Sequence, residues 1–271
     1  MKWFACINVG CACVHTVSTV AVLTAGLIDA NVRDYTLPVG TCITINGTIT
    51  TMDVSSVPVL PFVVVPGAIS AFWHWCIAAM DDTGDIVVTG MNVWRWVDYW
   101  ASSAIMIGGI ALLSGVADAW VLSSVVLAQS FFMVVSGVVE SADLPLSTHL
   151  GVAIVTGVYY CIVVWGPVLY AFTENAPPEF VIAIVSTLFV LFALFGVVYV
   201  VAAVRWFEPF ETEVMYATLS IMAKTMLQWL VYGGIAGQAE GNTTAVAISV
   251  PIILVGGCVL GAVFWKSKSL V

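Results

Sequence analysis

Residues 211–234 read ETEVMYATLSIMAKTMLQWLVYGG, and one charge within that run decides how the rest of the chain is read. The run is long and apolar enough to cross a bilayer, whose hydrocarbon core of about 30 Å takes about 20 helical residues. Yet Lys224 sits close to its midpoint. A charge at the centre of a spanning helix costs about 2.5 to 3.5 kcal/mol on insertion scales, which makes an intramembrane lysine a functional-site hypothesis by default. Snorkelling to the interface does not account for it, because the nearest headgroups lie roughly 15 Å away at about 1.5 Å per residue. Lys224 is therefore expected either to be covalently modified or to be paired with an acid.

Working outward, composition fixes the solvent. With 61% hydrophobic and 8% charged residues among 271, and a mean hydropathy of +1.08, the chain lacks the polar surface of a soluble globule and belongs in a lipid bilayer. Its apolar runs mostly reach helical spanning length, which excludes a β-barrel of short alternating strands. Eight such runs are expected to span: Trp3–Ile28, Val57–Met80, Met91–Ser114, Ala117–Gly137, His149–Phe172, Phe180–Val204, Glu211–Gly234 and Ala245–Trp265. The first is too long for the apolar core of a secretory signal, about 7 to 15 residues, and is kept as a helix.

Orientation follows from the seven Lys and Arg. With the N-terminus inside, Lys2, Arg95, Arg205, Lys266 and Lys268 fall at or near the inner face, Arg33 outside and Lys224 in the membrane. Two sequons, Asn46-Gly47-Thr48 and Asn242-Thr243-Thr244, then lie outside. The net charge of −9 reads as solvated loops and gives no reason to expect a nucleic-acid partner. The connection 29–56 alternates Thr, Val and Ile around Asn46-Gly47, the signal for two short strands and a tight turn, hence an ordered outer hairpin.

Few other residues break the apolar pattern. Cys6, Cys11 and Cys13 in segment 1 read as small apolar fillers, with no paired CxxC for a metal, and Cys42 alone in an outer loop gives no disulfide framework. His15 is either a hydrogen-bonded structural histidine or part of a polar site. Ser70 and His74, four apart, share a face of segment 2, whose outer half Pro61 and Pro66 should bend. The acidic turn DDTGD at 81–85 lacks the spacing of a calcium loop and reads as solvated, so no metal site is expected.

Segment 3 carries Asp98, about seven residues and roughly 10 Å from its inner end, while the Lys224 amine should lie roughly 13 to 14 Å from the inner end of segment 7. Acid and base are thus expected in one layer. Ser220 stands one turn before Lys224 on the same face. Glu211 and Glu213 at the start of segment 7 read as favourable to a helix N-terminus. Tyr159, Tyr160 and Trp165 on segment 5, and Phe189, Phe192, Phe195 and Tyr199 on segment 6, form an aromatic stripe that is ordinarily packing. Gly257 and Gly261 in segment 8 favour close helix packing.

A lysine on segment 7, a carboxylate on segment 3 and aromatics between them make the plan of a retinal protein. The run RWVDYWASSAIM at 95–106 resembles the helix 3 signature of the heliorhodopsins, and LSIMAKTMLQW at 219–229 resembles their retinal-lysine signature. His15 and His74 match two histidines that family places in helices 1 and 2, and the N-inside orientation matches its inverted topology. The resemblance implies a seven-helix membrane bundle over residues 1–235, with all-trans retinal as a Schiff base on Lys224 and Asp98 as counterion. Ser70, Ser103 and Ser220 would bond around that pair, and Gln129, Trp165 and Phe192 would face the chromophore. His15, His74 and Tyr99 would belong to a proton-accepting cavity, with Glu140 and Glu213 near the inner surface.

It further implies a homodimer capped by the hairpin, not an enzyme but a light sensor that signals through its inner side or a partner. Some viral and algal members show instead a passive light-gated proton conductance, and a transporter or receptor without retinal is the remaining class. The outer halves of segments 3 to 7 offer no carboxylate, which argues against a pump. Two departures stand out. The counterion position usually has glutamate, and the family usually ends after the retinal helix, whereas residues 236–271 here add an eighth segment that returns the C-terminus inside.

Overall fold

A computed structural model of the protein describes residues 2–45, 48–80, 92–142 and 144–240. Within them, seven helices are long and apolar enough to cross a membrane: α1 (Lys2–Ile28), α2 (Leu60–Ala79), α3 (Val93–Leu113), α4 (Ala119–Ser141), α5 (Leu146–Asn175), α6 (Glu179–Ala203) and α7 (Pro209–Glu240). The expected eighth span Ala245–Trp265, the turn at 81–85 and Asn46, Gly47 and Asn242 lie outside the described residues.

Between α1 and α2 comes a one-turn helix, Ala30–Arg33, capped by the Asp29 carboxylate accepting from the Asn31 N–H at 2.9 Å. Strands β1 (Thr36–Ile45) and β2 (Thr48–Pro58) then pair antiparallel, with a bulge between Val39 and Gly40. The hairpin is longer than the sequence suggested. β2 takes Val57 and Pro58, which the apolar run had assigned to the second span; Val57 is β-branched and suits a pleated surface, and a proline is tolerated in a strand at the sheet's edge. The Gly40 N–H donates to the Ala117 carbonyl at 2.8 Å and ties the hairpin to the connection between α3 and α4.

The helices close in a ring. α1 packs on α2, and each following helix on the next, until α7 returns to α1 and also touches α2. In α3 and α7 72% of the spanning window is buried, against 22% in α4 and α5, so the helices bearing Asp98 and Lys224 form the centre. Local chemistry starts several of them. Asn92 caps α3 by accepting from the Arg95 N–H at 3.1 Å, and Asp118 caps α4 by accepting from Trp120 and Val121. Pro61 falls in the first turn of α2, where its missing N–H costs nothing. Only Pro66 lies inside and removes a ladder bond.

The spans shift by a few residues from the expected limits, α4 running on to Ser141, and two show a further difference. α5 starts at Leu146 and contains a π-helical turn, Tyr160–Val164, in which Tyr160 O–H donates to the Phe189 carbonyl of α6 at 2.9 Å. Such turns are frequent at functional sites and leave no mark on apolar periodicity. α7 runs past Gly234 to Glu240, because the packing around its glycines continues the helix that propensity alone would have ended.

Candidate functional site

Lys224 and Asp98 are each 3% exposed. The lysine Nζ lies 3.2 Å from Asp98 Oδ2 and donates to Ser220 Oγ at 2.8 Å. Ser70 Oγ donates to the other carboxylate oxygen, Oδ1, at 2.5 Å. Each Asp98 oxygen therefore has its own partner, one from α7 and one from α2. A buried charge pair is tolerable only when its remaining hydrogen-bonding capacity is met in this way. Ser102, one turn along, donates back to the Asp98 carbonyl at 2.7 Å. The Tyr99 ring stands 5.2 Å from Lys224 Nζ, its O–H held by the Tyr216 carbonyl at 2.9 Å.

From the amine, a space of about 380 Å³ runs between α3, α4, α5, α6 and α7. Its walls are Met106, Phe132, Met133, Tyr160, Phe192 and Phe195, with Tyr99, Ser102, Ser103, Ser220 and Ala223 around the lysine. Apolar walls with a few convergent polar groups at one end are the make-up of a small-molecule site. The space adjoins a larger lateral cavity of about 1,370 Å³ that shares Tyr99, Phe132, Met133, Tyr160, Phe192 and Phe195 and extends between α5 and α6. An elongated apolar chain attached at Lys224 fits this lining.

On the other side of Tyr99, toward the N-terminal end of the bundle, lies a second cavity of about 430 Å³ lined by Asn8, His74, Asn92, Arg95, Asp98 and Glu213. The His74 Nδ1 is 2.8 Å from Asn8 Oδ1, and its ring stacks on that of His15 at 5.5 Å. Both His15 nitrogens and the His74 Nε2 are buried without a protein partner. Beyond them the Arg95 guanidinium bridges Glu213 and Glu140, and Trp96 Nε1 donates to the same Glu140 oxygen. Asn92 Nδ2 donates to Glu213 at 3.1 Å, and the guanidinium lies 4.1 Å from the centre of the Tyr216 ring.

The structure thus gathers Lys224, Asp98, Ser70 and Ser220 at one point and puts Ser103, Phe192 and Tyr99 on the cavity walls. Gln129 acts at one remove, donating to Ser103 Oγ at 3.0 Å. Trp165 does not line the space; it stands behind Phe192, ring centres 6.1 Å apart. His74 lines the polar cavity and His15 stacks behind it. Glu213, near the start of α7, joins Glu140 in pairing with Arg95, which the sequence had placed merely at the inner face. Arg95 itself is 5% exposed. The signal available for this cluster was Asn92, a capping residue directly ahead of a helical run. Nothing in spacing marks Met106, Phe132 or Met133 as walls.

The model of the heliorhodopsin family matches residues 4–236 of the chain. Among solved structures, the fold is similar to that of a light-driven proton pump, LR (Mac), from Leptosphaeria maculans, with a TM-score of 0.64 and 12% identity over 88% of this chain and 96% of that one. At that identity the likeness concerns the fold. No curated protein matches the chain.

Proposed function

The chain belongs to the heliorhodopsin family and is a retinal-binding, light-sensing integral membrane protein; we propose that Lys224 carries the chromophore, that Asp98 is its counterion, and that the protein signals and does not pump. Retinal, when bound as the all-trans isomer, would supply visible absorption and a light-driven change of shape at the Lys224 nitrogen. Everything else is work for the chain's own residues. Asp98, held by Ser70, keeps the nitrogen cationic, because an ionised neighbour in a dry pocket favours the charged form. Ser220 fixes where the nitrogen sits. His74, whose Nε2 has no protein partner and which lines the polar cavity together with Asp98, would be placed to receive a proton released from that nitrogen.

The observation that carries this reading is the buried pair at 3.2 Å at the head of an apolar space. Orientation rests on the Lys and Arg distribution, with the N-terminus inside and the hairpin outside. A pump is disfavoured because, among the described residues, the buried acids are Asp98 and Glu213, neither of them on the hairpin side of Lys224; passive conductance is the alternative to signalling. A homodimer under the hairpin and a signalling partner at the inner face complete the proposal. Purified protein mixed with all-trans retinal should develop a visible band, and Lys224→Ala should stay colourless. A coloured Lys224→Ala would contradict the assignment. A light-evoked current that reverses with the proton gradient would replace the sensory reading by passive conductance.

A further inference from the structure

One helical turn beyond Lys224, on the same face of α7 but toward the hairpin, stands Gln228. It is 1% exposed. Its Oε1 accepts from Ser18 O–H at 2.6 Å, its Nε2 donates to Thr19 Oγ1 at 2.9 Å, and Trp229 Nε1 donates to Ser18 Oγ at 3.1 Å. Interchanging the amide's oxygen and nitrogen leaves the same two hydroxyl partners, since a hydroxyl both donates and accepts. α2 is shaped to admit the group. A Cβ at Gly67 would strike the Gln228 amide and the Thr19 hydroxyl. Gly67 is also three residues from Ser70, so one face of α2 makes room for the amide and holds the Asp98 carboxylate.

We propose that Gln228 is the residue that closes the hairpin-side route between solvent and the Lys224–Asp98 pair, and so determines on which side that pair exchanges protons. The argument is chemical. An amide neither takes up nor gives up a proton near neutral pH, whereas a carboxylic acid of the same shape does both. Amide, two hydroxyls and an indole N–H bond one another and fill the junction of α1, α2 and α7, and none of the amide's partners titrates. On the opposite side of Lys224 the neighbours are a carboxylate, imidazoles with unpartnered nitrogens and a polar cavity. The inference rests on Lys224 bearing the chromophore, because the colour reports the state of Asp98.

The test uses retinal-loaded full-length protein in sealed vesicles with the hairpin end outward, orientation being read from protease access to the hairpin. Protonating Asp98 removes the counterion charge and shifts the visible band. An acid step applied outside alone should leave the wild-type band in place until a protonophore is added. Gln228→Met, equal in length and unable to carry a proton, should behave like wild type. Gln228→Glu offers a proton carrier and Gln228→Ser leaves room for water between three hydroxyls; both should shift under the external step alone, at least tenfold faster than wild type. Without retinal, Gln228→Glu should lose thermal stability relative to wild type as pH rises and the introduced carboxyl ionises in its dry site. Coloured Gln228→Glu and Gln228→Ser that stay as closed as wild type, or a wild type that shifts without protonophore, overturn the inference and leave Lys224 and Asp98 in place. A colourless wild type overturns both.

Discussion

On the N-terminal side of Lys224 the buried polar groups include ion pairs and border a cavity; on the hairpin side a neutral set is bonded to one another. The first half holds Arg95 between Glu140 and Glu213, with His74, Asn8 and Asn92 around about 430 Å³ of space. The second holds Ser18, Thr19, Gln228 and Trp229 in a closed set of hydrogen bonds. Charges stored in a low-dielectric interior are costly to separate and respond to one another over several ångströms, so the first half can register a change at Asp98. Neutral bonds of modest net strength give a seal with nothing to titrate. The difference teaches that one fold can flank a buried ion pair with ionisable groups on one side and with neutral, mutually bonded groups on the other.

The largest effect should come from breaking the charged half. Arg95→Gln leaves Glu140 and Glu213 buried together without their cation, a loss of about 3 to 5 kcal/mol at neutral pH. Thermal unfolding in detergent checks the size. A loss below about 1 kcal/mol would mean that the cluster contributes no more than an exposed ion pair.

Next comes the seal. Gly67→Ala drives a methyl group into Gln228 and Thr19 and should cost about 1 to 3 kcal/mol. In a Gln228→Ala background, where the amide is gone and only the Thr19 hydroxyl obstructs, the same substitution should cost less, and equal costs in both backgrounds would remove Gln228 from the explanation. The smallest effect is Trp229→Phe, which deletes one N–H to Ser18 and should lower stability by about 0.5 to 1.5 kcal/mol without moving the visible band. A moved band would show that the neutral half does couple to the chromophore.

How far the sequence foretold these halves depends on the physics of each. Spans show in the sequence because apolar length is dictated by the bilayer, and the lysine stands out because its burial is so unfavourable. The Lys224 and Asp98 layer followed from helical rise alone, since both helices start at the same end. The Arg95 cluster was hidden because an arginine at a helix start looks the same whether it faces headgroups or two glutamates. Gln228 was hidden for a related reason. An amide in an apolar run has no stated partner until α1 and α2 are in place around it. The π-turn in α5 and the end of α7 are set by packing, which hydrophobic periodicity does not encode.

The central claim concerns the charge on the Lys224 nitrogen and the carboxylate that maintains it. The most direct measurement is the visible absorbance of the retinal-loaded protein titrated across pH, in wild type and in Asp98→Asn. The account predicts that wild type keeps its visible band through neutral pH, whereas Asp98→Asn loses it there and regains it on acidification. An Asp98→Asn protein that held its band like wild type across the same range would show that another group balances the charge.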